Sequence, residues 1–363
     1  MRLGVEAALV DGTLLLGDVE VAEGRIARLG LGGPRGRGIA APGFVDLQVN
    51  GFGGVDFLDA DVDGYRRAGR ALLETGVTAY LPTLITSPEP QVLRAMHEVP
   101  TGDSRPRILG VHLEGPFLSP NRLGTHEASS RRDPDPALLA RLLEAGPVRM
   151  MTLAPELPGA GELIDTLHSR GVTVSLGHTD ATAEQAEAAF GRGARAVTHL
   201  FNAMRPLQHR DPGIVGAALA NDDVVVSLIV DGIHLAPETV LTAWRAARGR
   251  VALISDATAA APRADGRSSL GELDLEVHEG AVRGPDGILA GSVLSLIEAV
   301  RNVHALGVPL EEALGAVSAT PARVLGDARL GRLDVGLPAD VVVLNDRLEI
   351  ERVLVGGDEP VAV

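Results

Sequence analysis

The sequence predicts an α/β protein: a (β/α)8 TIM-like barrel with a small β-sandwich domain formed by both termini. Three observations carry this reading. Eight short apolar runs recur through the middle of the chain, at Gly43–Asn50, Val77–Thr86, Arg107–Glu114, Val148–Pro155, Val172–His178, Ala194–His199, Val224–Asp231 and Val251–Asp256. Most of them end in a residue able to do chemistry: Asn50, Glu114, His178, His199, Asp231 and Asp256. Strands apolar along their length and polar at their C-terminal tips are the sequence form of barrel enzymes, whose active sites are built from strand ends and the loops that follow. Finally, both ends of the chain are strand-like. The length of 363 residues suits a barrel of roughly 250 residues plus a small appended domain.

In chain order, Val5–Val10 and Thr13–Leu16 flank Asp11-Gly12 and predict a hairpin with an Asp-Gly turn. Asp18–Ala22 and Arg25–Leu29 around Glu23-Gly24 predict a second. Residues 32–38, GGPRGRG, are too rich in Gly for regular structure and predict a turn or loop. Between the apolar runs, Tyr65–Thr75, Glu89–His97, Pro136–Ala145, Glu162–Arg170, Thr182–Arg192 and Pro237–Arg248 have helical composition. The stretch Asp180-Ala-Thr-Ala-Glu-Gln opens one of them with good capping residues. After the eighth run, Val293–Leu306 and Leu310–Val317 also predict helices. Residues 264–288 are polar, turn-rich and partly alternating (Leu273, Leu275, Val277), which predicts a β-hairpin insertion near the barrel mouth. The end of the chain returns to strands at Asp340–Leu344 and Ile350–Val355. The expected organisation is a small β domain of residues 1–42 and 328–363 around a catalytic barrel of residues 43–327.

Composition narrows the function. Apolar residues are 45% of the chain and aromatics only 2%, so the core must be packed from Ala, Val and Leu. Few aromatics argue against stacking platforms for nucleic acid or sugar rings. A net charge of −15 argues against a basic nucleic-acid surface, so no nucleic-acid partner is expected. An anionic small substrate would need a local basic patch. The absence of Cys excludes disulfides and thiolate metal sites. Met1–Leu16 carries Glu6 and Asp11 within its apolar stretch and does not read as a signal peptide. No uncharged apolar run approaches the ~18–20 residues of a membrane span. A soluble cytoplasmic protein is the expectation.

The strongest constellation is Glu114, His178 and His199, at the tips of the third, fifth and sixth runs. The two His lie 21 residues apart, about one short β/α step, so adjacent strands could aim both at one point. Two imidazoles and a carboxylate with an open fourth position form a catalytic zinc-type ligand set. Singly, each His reads better as a buried hydrogen-bonding residue; three ligands at three strand tips turn the balance toward a metal site. Asp256 could take a proton from a metal-bound water and return it to a leaving amine, or could simply cap a helix. His112 precedes Glu114 by two and shares its strand face; a packing or supporting role suits it better than ligation. His126 sits in a loop where a His could polarise a carbonyl, though spacing alone favours a surface position. Arg210 and His234, on loops after the sixth and seventh runs, are candidate anion binders, with ordinary surface salt bridges as the plainer alternative.

The motifs also form a recognisable series. It runs Pro42-Gly-Phe-Val-Asp46, Gln48-Val-Asn50-Gly51, His112-Leu-Glu-Gly-Pro-Phe-Leu118, Gly177-His-Thr-Asp180, Thr198-His-Leu-Phe-Asn-Ala-Met204, Asp231-Gly-Ile-His234, Ser255-Asp-Ala-Thr258, Leu289-Ala-Gly-Ser292 and Leu337-Pro-Ala-Asp340. In this order, over nearly the whole chain, the sequence resembles the N-acetylglucosamine-6-phosphate deacetylases of the amidohydrolase superfamily. Pro-Gly-Phe-Val-Asp alone marks only the superfamily; the combination is specific.

The resemblance implies metal ligation by Glu114, His178 and His199, and an acid/base role for Asp256. It implies that His126 polarises the carbonyl and binds the sugar. It places Thr125, Asn202, Ala203, Arg210, Asp231, His234 and the loop Leu289, Ala290, Gly291 around the sugar phosphate. It implies a homodimer with the pocket close to the neighbouring subunit. Many amidohydrolases carry His-x-His where this chain has Gln48 and Asn50, and neutral amides bind transition metals poorly. One divalent metal per subunit is therefore expected, with Zn the first expectation and Fe, Co or Mn also compatible. Ser295-Leu296 stands where the family pattern has Thr-Met. The implied reaction is hydrolysis of N-acetylglucosamine 6-phosphate to glucosamine 6-phosphate and acetate. The alternatives are an amidohydrolase acting on N-acetylgalactosamine 6-phosphate or an N-acyl amino acid, and a catalytically silent binding protein. Intact Glu114, His178, His199 and Asp256 argue against the last.

Overall fold

A computed structural model describes residues 1–33, 36–102, 104–262 and 265–359. Residues 34 and 35 of the expected Gly-rich loop, residue 264 of the expected insertion and the last four residues of the expected β domain lie outside the described residues.

Eight parallel strands follow one another around a nearly closed barrel: Phe44–Val49, Val77–Ile85, Val111–Glu114, Val148–Leu153, Thr173–Leu176, Ala196–Val197, Val225–Leu228 and Val251–Leu253. The eighth meets the first at the C-terminal mouth. There the Asp256 N–H donates to Gln48 O at 3.0 Å and the Asn50 N–H to Ala257 O at 2.8 Å. Lower in the same seam the Val45 N–H donates to Val317 O at 2.8 Å, so the end of the Leu310–Ala316 helix fills the gap. Parallel strands are covered on both faces, which is why their sequences are apolar runs rather than alternations. Every residue of Phe44–Val49 and of Val77–Ile85 is buried.

The helices form where amphipathic faces and caps coincide. Val62–Glu74 starts at Asp61, whose carboxylate accepts the Gly64 N–H at 2.7 Å, and it buries Tyr65, Ala68 and Leu72 along one stripe. Thr182 and Gln185 make a capping box at the start of Ala183–Gly191, as the sequence cues predict. Ser295 and Glu298 make another before Leu296–Ala305. The Ser295 that departs from the family pattern thus does the work of a cap, for which Ser and Thr are near equivalents. The helix Gly213–Ala220 is one that the sequence does not predict. Its sequence, GIVGAALA, is apolar nearly throughout, so no periodicity marks it. Ala319–Val324 is a further unanticipated short helix.

The third run is interrupted rather than continuous. Arg107–Ile108 pairs with Ala79–Tyr80, and Val111–Glu114 then pairs with both neighbours. Gly110, at φ +128°, makes the break; a Cβ there would lie 2.6 Å from Pro147 O.

Strands from both ends of the chain form one five-stranded sheet, in the order Thr13–Leu16, Ala7–Val10, Ile39–Pro42, Val341–Leu344, Ile350–Leu354. The pair Asp18–Ala22 and Arg25–Leu31 packs against it through Val19, Val21, Ile26, Val341 and Leu354. The insertion has three antiparallel strands, Gly266–Leu270, Leu273–His278 and Ala281–Arg283, one more than the expected hairpin. Asp56 Oδ2 accepts the Gly271 N–H at 2.6 Å and ties the insertion to the loop beyond the first barrel strand. Among the described residues no helix is long and apolar enough to cross a membrane.

Candidate active site

Glu114 is the last residue of the third barrel strand. His178, His199 and Asp256 follow the ends of the fifth, sixth and eighth strands on left-handed backbone, at φ +48°, +32° and +47°. Such conformations cost about 1–3 kcal/mol each for residues other than Gly, so neighbouring bonds must enforce them. The His199 N–H donates to Ser227 Oγ at 2.8 Å, and the His178 carbonyl accepts the Ser119 N–H at 2.9 Å. The cross-barrel bond from Asp256 N–H to Gln48 O does the same for Asp256.

The result is a compact buried triangle. Glu114 Oε1 lies 3.2 Å from His178 Nε2 and 3.1 Å from His199 Nε2, and the two nitrogens are 3.1 Å apart. A tetrahedral ion with bonds of about 2.0–2.1 Å has ligand–ligand edges of roughly 3.3–3.4 Å, close to this triangle. His178 Nδ1–H donates to the Arg122 carbonyl at 3.1 Å, which leaves the Nε2 lone pair facing the centre. Two imidazole lone pairs at this separation repel unless a cation lies between them. Burial pushes the Glu114 pKa up, but His178 and His199 outweigh it and hold the carboxyl well below its usual range. Burial likewise opposes charging His199, yet Glu114 and Asp256 raise its pKa. Both directions describe a site that favours positive charge. Among the described residues, this is the group of His and carboxylate side chains whose donor atoms are close enough to hold an ion.

Asp256 is held beside the triangle. Its Oδ1 accepts Gln48 Nε2 at 3.0 Å and Asn50 Nδ2 at 2.8 Å. Gln48 Nε2 also donates to Glu114 Oε1 at 3.0 Å, so one amide bridges the two carboxylates. Gln48 and Asn50 therefore present N–H donors, not lone pairs, where a second metal would need ligands. Asp256 caps no helix, since the next helix begins at Leu296 behind its own cap, Ser295. Burial, reinforced by the Glu114 charge, raises the Asp256 pKa to about 6.

His126 is buried, against the surface position its spacing favours. The Thr86 N–H donates to its Nδ1 at 3.2 Å, which assigns the proton to Nε2. That Nε2 lies 3.7 Å from Glu114 Oε2. Burial, and then the nearby His178, push its pKa down to about 3, so the ring is a neutral hydrogen-bond donor. His112 lies outside the triangle: its Nδ1–H donates to Leu47 O at 2.9 Å and its Nε2 accepts from Thr152 Oγ1 at 2.8 Å.

These groups open into a cavity of about 390 Å³. Thr125, His126, Asn202, Ala203, His234, Leu289 and Gly291 line it together with the triangle and Asp256. Three of the expected residues stand elsewhere. Asp231 lies behind His234, accepting its Nδ1–H at 2.7 Å, and so orients that ring. Ala290 is fully buried beneath the loop that its neighbours present. Arg210 is exposed, its guanidinium 3.0 Å from His209 Nε2, and does not line the cavity. The arginine that does is Arg283, at the end of the insertion, which no motif in the sequence marks. The bridging role of Gln48 is likewise invisible in the chain.

Residues 39–359 match the amidohydrolase family. The N-acetylglucosamine-6-phosphate deacetylase of Danio rerio is 39% identical over 340 residues, 88% of this chain and 84% of that protein. The N-acetylgalactosamine-6-phosphate deacetylase of Escherichia coli O157:H7 is 37% identical over 327 residues, 88% of this chain and 87% of that protein. Among solved structures, an aspartate-to-alanine variant of N-acetyl-D-glucosamine-6-phosphate deacetylase from Mycobacterium smegmatis, in complex with N-acetyl-D-glucosamine-6-phosphate, is similar with a TM-score of 0.92. It is 36% identical and covers 99% of this chain and 98% of its own.

Proposed function

The chain belongs to the amidohydrolase family, among its N-acetylglucosamine-6-phosphate deacetylases, and from that premise we propose that it hydrolyses N-acetylglucosamine 6-phosphate to glucosamine 6-phosphate and acetate. The observation that carries this reading is the buried triangle of Glu114, His178 and His199 with Asp256 held beside it by Gln48 and Asn50. A divalent transition metal held by the triangle, one per subunit and Zn in this reading, would acidify water and polarise the acetyl carbonyl. Asp256 takes the proton of the attacking water on Oδ2, since Oδ1 is engaged by two amides. The neutral His126 donates its Nε2–H to the carbonyl oxygen as negative charge develops there. Asp256 then delivers its proton to the departing nitrogen, the amide C–N bond breaks, and the water oxygen remains in acetate. Thr125, Asn202, Ala203, His234 and the Leu289–Gly291 loop line the space left for the sugar, with Asp231 acting through His234.

The same reading has a β domain of residues 1–42 and 328–363 packed on a catalytic barrel of residues 43–327. It has a cytoplasmic homodimer, in which Arg210, exposed in the single chain, faces the neighbouring subunit. The galactosamine epimer is the second reading, favoured by the 37% identical relative that bears that name. The metal triangle meets the acetyl group and not the epimeric hydroxyl, so the cavity wall decides between the two. Acetate release from both epimers, with metal supplied, tests the proposal. Faster turnover of the glucosamine epimer is expected; no release from either would overturn it.

A further inference from the structure

We propose that Arg122 and Asp180 are a positioning pair: their contact ties the loop that carries Thr125 and His126 to the ring of His178, so that metal binding and the ordering of that loop are coupled. This rests on reading Glu114, His178 and His199 as the metal site. A histidine that ligates a metal through one nitrogen is oriented, and made a better ligand, by the bond its other nitrogen donates. His178 Nδ1–H donates to the Arg122 carbonyl at 3.1 Å, whereas His199 Nδ1 is buried with no partner among the described residues. Of the two imidazoles, His178 is thus the one whose far nitrogen is engaged, and its acceptor belongs to a loop.

Packing does not fix that acceptor. Residues 121–125 are exposed or half-buried. The loop's own backbone bonds, from the Arg122 N–H to Ser119 O and from the His126 N–H to Leu123 O at 3.1 Å each, fold it on itself. The Arg122 side chain supplies a restraint to the barrel. Its Nε and Nη2 lie 2.9 and 2.8 Å from Oδ1 of Asp180, two residues beyond His178. The carbonyl and guanidinium of one residue thus grip a ligand and the turn that follows it. Removing the side chain leaves the carbonyl in place chemically but frees it to move.

Asp180 is itself anchored on the barrel side. Its N–H donates to Glu156 Oε1 at 2.7 Å, from the segment after the fourth strand, and Glu156 Oε2 accepts the Thr179 hydroxyl. The Thr179 N–H donates to Ala203 O at 3.2 Å, and the Arg205 N–H to Thr179 O at 3.0 Å. Arg205 in turn is held by Asp211, 2.6 Å away. The turn at residues 179–180 is therefore the fixed partner, and the loop at 122–126 is the member that needs holding. That loop brings Thr125 and His126 to the cavity. Coupling through a shared element is reciprocal, so loosening the loop weakens metal binding and metal binding orders the loop.

The test is Arg122→Ala in the full chain with Co2+ as the probe, its visible absorption reporting affinity and coordination geometry together. The Kd for Co2+ should rise about 10- to 100-fold, the range for outer partners of a metal ligand. Co2+ should slow amide hydrogen exchange over residues 119–126 in the wild type, and the metal-free variant should exchange there faster than the metal-free wild type. Asp180→Ala should act alike, and the double variant should bind Co2+ no worse than the weaker single one. Arg122→Lys should recover part of the affinity. The two side chains are 33% and 27% exposed, and an ion pair of that kind adds little to folding, so the metal-free Tm should hardly move. A Kd within a few-fold of wild type, additive losses in the double variant, or a loss that follows a fall in metal-free Tm would overturn the proposal. If the wild type binds no Co2+, or His178→Ala binds it equally well, the metal reading has failed. Hydrogen exchange of the metal-free proteins then judges the pair by itself, and equal protection of residues 119–126 would overturn it.

Discussion

Replacing Asp256 with Asn separates proton transfer from every other task at the site. Oδ1 of Asp256 accepts Gln48 Nε2 at 3.0 Å and Asn50 Nδ2 at 2.8 Å. The carboxamide oxygen of an Asn can take over both bonds, which turns its NH2 toward the place of Oδ2. Shape and the amide network survive, but no atom remains to accept a proton. The triangle of Glu114, His178 and His199 is not altered. A positioned acid/base group is worth typically 10²–10⁴-fold, or about 3–5 kcal/mol of barrier. Acetate release at saturating metal should show kcat lower by about that factor, with elemental analysis unchanged. The pH profile supplies a second check. Burial and the Glu114 charge raise Asp256 to about 6, and the proposed reaction starts from its deprotonated form. A divalent cation nearby can only move that value down. Wild-type kcat/KM should therefore lose about tenfold per pH unit below a limb at or under pH 6, and the residual activity of Asp256→Asn should lack that limb. Activity within a few-fold of wild type would refute the acid/base role. So would a loss that tracks metal content, because Asp256 would then be holding the ion.

Other expectations follow from the same geometry. Wild-type protein purified without chelator should hold near one equivalent of metal, and His178→Ala should hold almost none by elemental analysis; two equivalents in the wild type would sink the single-site reading. Gln48→Ala removes the amide shared by Glu114 and Asp256, so kcat should drop by roughly 10- to 150-fold while metal stays bound. Asp46 is fully buried, with Oδ2 unpartnered, and burial raises its pKa to about 7. Its folded-state pKa lies above the unfolded value of about 3.9, so the native state binds the extra proton between these values. Its contribution to stability should therefore decline as pH rises from about 4 to 7, by on the order of 4 kcal/mol, and level off above. Asp46→Asn should flatten that slope in urea melts at pH 5 and 8; an unchanged slope would refute the assignment.

The parts of the site that can be read in the chain are those whose position the barrel architecture dictates. A strand covered on both faces must be apolar, so an ionisable residue at its end stands out against its own run. Glu114, His178, His199 and Asp256 were visible for that reason. Chain-order neighbours in a barrel are also spatial neighbours, which gives the 21-residue interval between the two His a geometric meaning. The same logic locates the insertion but not its contents. Its exposed strands carry Arg267, Asp274, Glu276 and Arg283 with nothing to say which side chain faces the cavity.

His126 shows where spacing alone misleads. A loop residue has no period, so surface is its ordinary expectation. What buries it is the fold-back of its loop onto the end of the second strand, where the Thr86 N–H meets Nδ1. That one bond also decides its chemistry, because a ring that accepts at Nδ1 must donate at Nε2. Gln48 carries the argument one step further. As a sequence feature it is the absence of a metal ligand. In the structure its amide stands between two buried carboxylates, supplying each with a donor at 3.0 Å. A His at position 48 would offer that space a lone pair. With Asn50, the amide instead holds Asp256 beside Glu114 and fills the place where a second ion would need ligands, which is what the proposed single metal and the proposed proton transfer both require.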